Sequence, residues 1–110
     1  MINDYFEDPR ALTRIRGGSV GPHIDAFADS FVGGGYSPYT IRGYIRAAVH
    51  FGRWADRHGI GISSWDEMKL ERFRRHLSRC GCSKPNKGIF HGTVAGVRLL
   101  LAFENAAIWL

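Results

Sequence analysis

The sequence predicts a small all-α protein built as a four-helix bundle. Apolar residues recur at the three- and four-residue spacing of helices, and Gly, Pro and capping residues separate these segments. No run alternates convincingly between apolar and polar residues, and no Asn-Gly or Asp-Gly pair marks a β-hairpin. A chain of 110 residues is long enough for one domain with a hydrophobic core. We therefore expect a helical domain over residues 22–110.

Residues 1–21 are predicted to be a flexible N-terminal arm. They mix charged residues with the stretch RGGSVGP, whose glycines and proline are typical of loops. One helical turn is expected around Asp8 to Ile15. The arm carries three arginines that either contact a polyanion or are simply solvated: Arg10, Arg14 and Arg16.

A single apolar stripe predicts the first helix, which begins at Pro22 and stops at Gly33. The stripe consists of Ile24, Phe27, Ala28 and Phe31. The stretch GGGYSPYT at residues 33–40 then predicts the start of a second helix, with Ser37 as N-cap and Pro38 at the first helical position. This stretch is not a dinucleotide-binding fingerprint, because Pro38 stands where the third glycine belongs and no strand precedes it.

The second helix is expected to run to about His58 and to be closed by Gly59. The stretch Ser64-Trp65-Asp66-Glu67 predicts a capping box at the start of a third helix. Four apolar residues carry this helix to Arg79, namely Met68, Leu70, Phe73 and Leu77. The Gly-, Pro- and Asn-containing stretch CGCSKPNKG is the next loop.

The fourth helix is predicted to begin near residues 91–93 and to continue to the end of the chain. Apolar residues surround it almost completely: Leu99, Leu100, Leu101, Phe103, Ile108 and Trp109. Two interpretations remain open. Part of this surface is covered by something outside the chain, such as a catalytic domain or a neighbouring protomer, or the helix is the central one of the bundle.

The charge of the chain favours a polyanionic partner. Fifteen Lys and Arg against ten Asp and Glu give a net charge of +5, and the pI is about 9.7. At about 100° per residue, five basic side chains of the second helix fall within an arc of about 80°. They are Arg42, Arg46, His50, Arg53 and Arg57. Tyr44 and Phe51 lie on the opposite, apolar face, and Asp56 is the only acid between Thr40 and Gly59.

This arc predicts contact with a row of phosphates, and we expect His50 to assist when protonated. The alternative is the solvated face of a basic protein. Lys84 and Lys87 precede the fourth helix, whose N-terminal N–H groups would add donors for a phosphate. Thr93 and Arg98 complete this second group, although an isolated arginine can also simply extend to water. Arg74, Arg75, His76 and Arg79 end the third helix, where positive charge complements the helix dipole.

No enzymatic, cofactor or metal site is predicted. His76, Cys80, Cys82 and His91 could supply four zinc ligands, but the spacing C-x-C is not that of the usual zinc knuckle, and reduced thiols are expected. No nucleophile elbow or His-rich metal motif is present. The chain has neither a secretory signal pattern nor a run of 18 apolar residues, so we expect a cytoplasmic protein without a membrane partner.

The second helix also carries a family pattern, Gly-x-Ser-x-x-Thr-x-x-x-Tyr followed by an aromatic pair. Its residues are Gly35, Ser37, Thr40, Tyr44, Phe51 and Trp54. With this pattern, residues 24–103 resemble the N-terminal core-binding domain of the tyrosine recombinases of the Xer type, the phage integrase family. The resemblance implies a SAM-like four-helix bundle that forms half of a clamp around duplex DNA during integration or recombination, with its second and fourth helices toward the DNA.

The catalytic domain of that family has no counterpart in this sequence. We therefore expect a double-stranded DNA-binding module that does not cleave DNA on its own, and we assign no catalytic residue. Two alternatives remain, a protein–protein interaction bundle that uses the apolar surface of the fourth helix, and a compact helix-turn-helix regulator. The link from Gly59 to Ser64 is long for that motif. Whether the chain is a natural short protein or a fragment stays open.

Overall fold

The computed structural model describes residues 1–77 and 93–108, with side chains through Asn105 in the second range. These residues form no strand, which confirms the all-α class. Their helices are α1 (Pro9–Arg16), α2 (Gly21–Asp29), α3 (Pro38–Arg57), α4 (Glu67–Leu77) and α5 (Thr93–Ile108), with 3₁₀ turns at Ile2–Asp4 and Ile62–Ser64. The described ranges thus hold five α-helices rather than the expected four, because residues 9–16 form a helix of their own.

The start signals of α3 are confirmed, whereas α2 ends at Asp29, before the stop predicted at Gly33. The whole predicted stripe of α2 and the turn after it is buried, with Phe27 exposing 1% of its surface. In the turn between the two helices, Gly33 and Gly35 adopt φ angles of 83° and 82°, a region that favours glycine. The hydroxyl of Ser37 then accepts a hydrogen bond of 3.1 Å from the Thr40 backbone N–H, so that Ser37 caps α3.

Helix α3 lies at the centre of the molecule and packs most extensively against α5. Ala48, Phe51 and Ala55 are completely buried along its predicted apolar face. Gly96 permits the close crossing of the two helices, because a Cβ at this position would lie 3.1 Å from the Cβ of Ala47. The long central helix therefore presents only a narrow side to solvent.

The predicted capping box of α4 is wrong. Asp66 is the residue that caps the helix, and its carboxylate accepts a hydrogen bond of 3.0 Å from the Lys69 backbone N–H. Ser64 instead ends the 3₁₀ turn Ile62–Ser64. Between them, Trp65 is extended, buried, and donates its indole N–H to the Ile60 carbonyl at 3.3 Å. Anchoring Trp65 in the core moves the helix start past Ser64.

The N-terminal segment differs from the separate arm that the sequence suggested. Ile2 is completely buried, and Phe6, Ile15 and Val20 belong to the same core cluster as α2, α3 and α5. The backbone N–H of Ile2 also donates to the Asp25 carboxylate at 2.9 Å. These four apolar residues follow no helical period along the chain, so periodicity does not reveal that they share one core.

The described part of α5 has its apolar side chains covered. Val97 and Leu100 are completely buried, while Leu99 and Phe103 are half-buried against the core. Through Asn105 the large apolar side chains of α5 are therefore buried or half-buried against the core, and the side chains of residues 106–110 lie outside the described residues. On α4, Met68 is 74% exposed, contrary to the apolar role that the sequence suggested. Nowhere in the described ranges is a helix both long and apolar enough to cross a bilayer.

Candidate nucleic-acid interface

The solvent-facing side of α3 consists almost entirely of arginine. Buried residues occupy roughly two thirds of the circumference of the helix at about 100° per residue. The remaining third carries Arg42, which is half-buried, and three exposed arginines, with Asp56 at its edge. The four arginines of this side are Arg42, Arg46, Arg53 and Arg57, and we call them the arginine face.

Two members of the arginine face contact the N-terminal segment. Arg53 Nη2 donates a hydrogen bond of 3.1 Å to the carbonyl oxygen of Arg14, in the last turn of α1. The guanidinium of Arg46 lies 5.4 Å from the ring centroid of Phe6. Both partners are uncharged groups, so these contacts orient the two side chains without neutralising them. Arg14 itself is exposed beside the face, where it adds to the positive charge.

No acidic residue of the chain pairs with the arginine face. All ten lie within the described residues, and no ion pair joins any of them to the arginine face. Asp56, the acid at the edge of the face, instead accepts hydrogen bonds from the backbone N–H and the hydroxyl of Ser19. The arginine face is thus a local concentration of uncompensated positive charge, which attracts polyanions.

His50 lies at the edge of the arginine face, where α3 contacts α4. Its ring is half-buried, with the centroid 5.0 Å from that of Phe73 and 5.4 Å from that of His76. Burial lowers the pKa of His50, and the charges of His76 and Arg57 lower it further. These surroundings disfavour the protonated form of His50, which was expected to assist in binding.

The second predicted group of basic residues is not brought together with the arginine face in the described structure. Arg98 projects from α5, and its Nε lies 3.3 Å from Oε1 of Glu67 on α4, so this arginine has a carboxylate partner. Thr93 begins α5 and is half-buried. Lys84 and Lys87 lie outside the described residues. The same holds for three of the four candidate zinc ligands, Cys80, Cys82 and His91.

A basic cleft between α3 and α4 escaped the sequence analysis. It has a volume of about 370 Å³ and is lined by Trp54, His58, Arg72, Arg75 and His76. The guanidinium of Arg72 lies 5.6 Å from the ring centroid of Trp54. Helical spacing contained a signal for it, since Arg72, Arg75 and His76 share one side of α4 and residues four apart, such as Trp54 and His58, share one side of α3.

Comparison of the chain with protein-family models, with curated proteins and with solved structures gave no match. The site therefore has to be interpreted from its own geometry and charge.

Proposed function

We propose that this chain is a module that binds double-stranded DNA through the arginine face of α3. The observation that carries the proposal is that the solvent-facing side of a central helix carries four arginines and no paired carboxylate. Burying the rest of α3 in the core fixes the backbone positions of these arginines in a row. Because no acid compensates them, a phosphate backbone alongside would relieve their mutual repulsion.

The length of the row suits a duplex. Arg42 and Arg57 are about 22 Å apart along the axis at a rise of about 1.5 Å per residue. Duplex DNA presents one phosphate for about every 1.7 Å of its own axis, so a helix lying against it meets several phosphates along this row. Arginine contacts to phosphates set affinity and orientation rather than the recognised sequence. The proposal therefore concerns duplex DNA in general and no particular target site.

The biological setting that we propose is that of a tyrosine recombinase or integrase, of which this chain would be the DNA-binding part without cleavage activity. The resemblance in α3 supports it. Ser37 makes the N-cap, and the aromatic pair Phe51 and Trp54 packs in the core with ring centroids 5.8 Å apart. In this proposal α5 is the second helix toward the DNA, and Lys84, Lys87, Thr93 and Arg98 extend the contact. A catalytic domain or a second protomer would be the protein partner.

A protein-interaction bundle is less well supported. Within the described residues, the large exposed apolar side chains are Met1, Val32, Tyr36, Tyr39 and Met68, and none of them belongs to α5. The surface on which that alternative depended is therefore covered through Asn105.

The proposal is tested by titrating a fluorescently labelled duplex with the protein over a range of NaCl concentrations. We expect wild type to bind with an affinity that falls steeply with salt. The triple variant Arg42→Gln, Arg46→Gln, Arg57→Gln should bind more weakly. If each arginine neutralises one phosphate, the slope of log K against log salt should decrease by about 2.7, at about 0.9 for each phosphate. Arg53 is kept because it bonds to α1.

The matched control is Arg74→Gln, which removes an arginine that already pairs with Glu71 at 3.0 Å on α4. It should leave the affinity and the slope nearly unchanged. A wild-type protein without salt-sensitive binding would refute the proposal. So would a triple variant that binds as wild type does, or a control that weakens binding as strongly as the triple variant.

A further inference from the structure

We infer that the cleft between α3 and α4 is a phosphate-binding site, separate from the arginine face. The ligand is a phosphate group, whether free or part of a nucleic acid. This inference does not depend on duplex binding by α3, because the cleft is lined by a different set of residues. Its volume of about 370 Å³ lies at the lower end of the range of about 300–1,000 Å³ that is usual for ligand pockets.

The lining of the cleft has the composition of an anion site. Of the described residues that line it, two are arginines and two are histidines, and none is acidic. Arg72 is held over the Trp54 ring, which orients its guanidinium at the cleft. A planar guanidinium fixed in this way can donate two parallel hydrogen bonds to phosphate oxygens.

The histidine at the end of α3 is also oriented. Nδ1 of His58 lies 2.8 Å from the carbonyl oxygen of Trp54, and because a carbonyl can only accept, Nδ1 carries the hydrogen. The other ring nitrogen, Nε2, then becomes a donor when the ring is protonated. A charged donor of this kind forms strong hydrogen bonds with phosphate oxygens.

No carboxylate of the described residues forms an ion pair with Arg72 of the cleft. Glu71 is the acid of α4 nearest in sequence to Arg72, and it pairs with Arg74 on the far side of the helix. His76 is surrounded by basic groups, His50, Arg57 and His58 of α3 and Arg72 and Arg75 of α4. Burial lowers the pKa of His76, and the charges of His58 and Arg57 lower it further. The negative charge of a bound phosphate would raise the pKa of His76 again by offsetting the charges of these neighbours.

The chain contains a reporter for this site and an internal control. The Trp54 indole is part of the cleft wall, and its N–H makes no hydrogen bond among the described residues. The indole N–H of Trp65 is instead bonded to the Ile60 carbonyl in the core. Occupation of the cleft should therefore shift the Trp54 indole resonance and leave that of Trp65 in place.

The test is a titration of ¹⁵N-labelled protein with inorganic phosphate, with ionic strength held constant by NaCl and the indole signals assigned with Trp54→Phe. We expect a saturable shift of the Trp54 signal with a Kd on the order of 1 mM, and a rise in the pKa of His76 in saturating phosphate. Arg72→Gln with Arg75→Gln should weaken the binding at least about tenfold, the equivalent of one bidentate contact of about 1.4 kcal/mol. Arg74→Gln should leave it unchanged.

A second arm distinguishes the source of the phosphate. This arm uses the double variant Arg42→Gln, Arg46→Gln, because the charge of Arg57 acts on His76 of the cleft. If duplex DNA shifts the Trp54 signal in wild type and the double variant abolishes that shift, the cleft takes a backbone phosphate of DNA held on α3. If inorganic phosphate alone shifts it, in wild type and double variant alike, the cleft is an independent anion site. The inference is refuted if neither ligand shifts the Trp54 signal at about 10 mM phosphate or saturating duplex, or if the Arg72 and Arg75 changes leave the shift intact. Failure of duplex binding alone would refute only the proposed function.

Discussion

At the scale of the single residue, Glu104 is a buried acid in an otherwise apolar part of the core. Its side chain on α5 is 5% exposed, and Oε1 accepts no hydrogen bond within the described residues. The imidazole of His23 on α2 lies beside this carboxyl group, with Nδ1 3.6 Å from Oε1. Burial raises the pKa of Glu104, and the charge of His23 offsets this only in part.

The raised pKa implies a pH-dependent cost to stability. The folded state holds the Glu104 proton more tightly than the unfolded chain does. The stability that this proton contributes is fully present below the ordinary pKa of glutamate, and it is lost as the pH rises through the raised pKa of Glu104. We compare the unfolding free energy of Glu104→Gln with that of wild type. This difference should rise in favour of the variant by on the order of 1 kcal/mol as the pH increases from 4 to 8. Urea unfolding followed by circular dichroism at several pH values measures this. Glu7→Gln is the control, at an exposed glutamate that makes no ion pair within the described residues. A difference that stays constant with pH would contradict the prediction.

At the scale of the element, two nearby residues, Ser64 and Asp66, are candidates for the N-cap of α4, and their substitutions should differ in their effect on stability. Asp66→Ala removes the acceptor of the Lys69 N–H and should lower the unfolding free energy by about 1 kcal/mol. Ser64→Ala should change it by less than about 0.5 kcal/mol, because Ser64 makes no cap hydrogen bond. Chemical unfolding of both variants measures the two effects. Equal losses would show that Ser64 takes part in capping after all.

The helices that could be predicted from the sequence are those with local signals. The ends of α3 were predicted well, since Ser37, Pro38 and Gly59 act on their own neighbours in the chain. The start of α4 was not, because Ser64 and Asp66 are both good caps and the choice depends on Trp65 entering the core. Local propensity cannot decide between two acceptable caps when a distant contact does.

The candidate site also has one part that could be predicted from local sequence and one part that could not. The arginine face was predictable because one helix carries it, and helical periodicity places its members. The cleft was not, because it requires Arg72 of α4 to face Trp54 of α3, which depends on how the two helices rotate against each other. His50 shows the same limit. Its angle on α3 is close to that of Arg57, yet the packing of α4 half-buries it.

At the scale of the whole molecule, the N-terminal segment completes the core. Ile15 of α1 is 5% exposed and lies in the cluster that also contains residues of α3 and α5. Ile15→Ala should therefore lower the unfolding free energy of the whole domain by about 2–4 kcal/mol in one cooperative transition. Val32→Ala is the control, since Val32 is 70% exposed. If residues 1–21 were an independent arm, both variants would unfold as wild type does, within about 0.5 kcal/mol.

The positive charge that should favour duplex binding should also lower the stability of the folded protein, because like charges repel. Substitution of Arg42 tests this relation most directly. It lies near the N-terminus of α3, where the helix dipole disfavours a cation, and four residues before Arg46, where like charges repel. Arg42→Gln should therefore raise the unfolding free energy by about 0.5 kcal/mol at low salt.

The same substitution should weaken duplex binding, because it removes one cation from the arginine face. The gain in stability should shrink in about 1 M NaCl, where charges are screened beyond about 3 Å. Arg74→Gln should show the opposite pattern, a small loss of stability from its broken pair with Glu71 and unchanged binding. Urea unfolding and duplex titration on the same samples measure both quantities. If the arginines instead stabilised the fold through their packing, Arg42→Gln would lower the unfolding free energy and leave the affinity for the duplex unchanged. A gain in stability together with a loss of affinity is the pattern expected of a surface whose like charges repel one another in the free protein and are neutralised by a polyanionic partner.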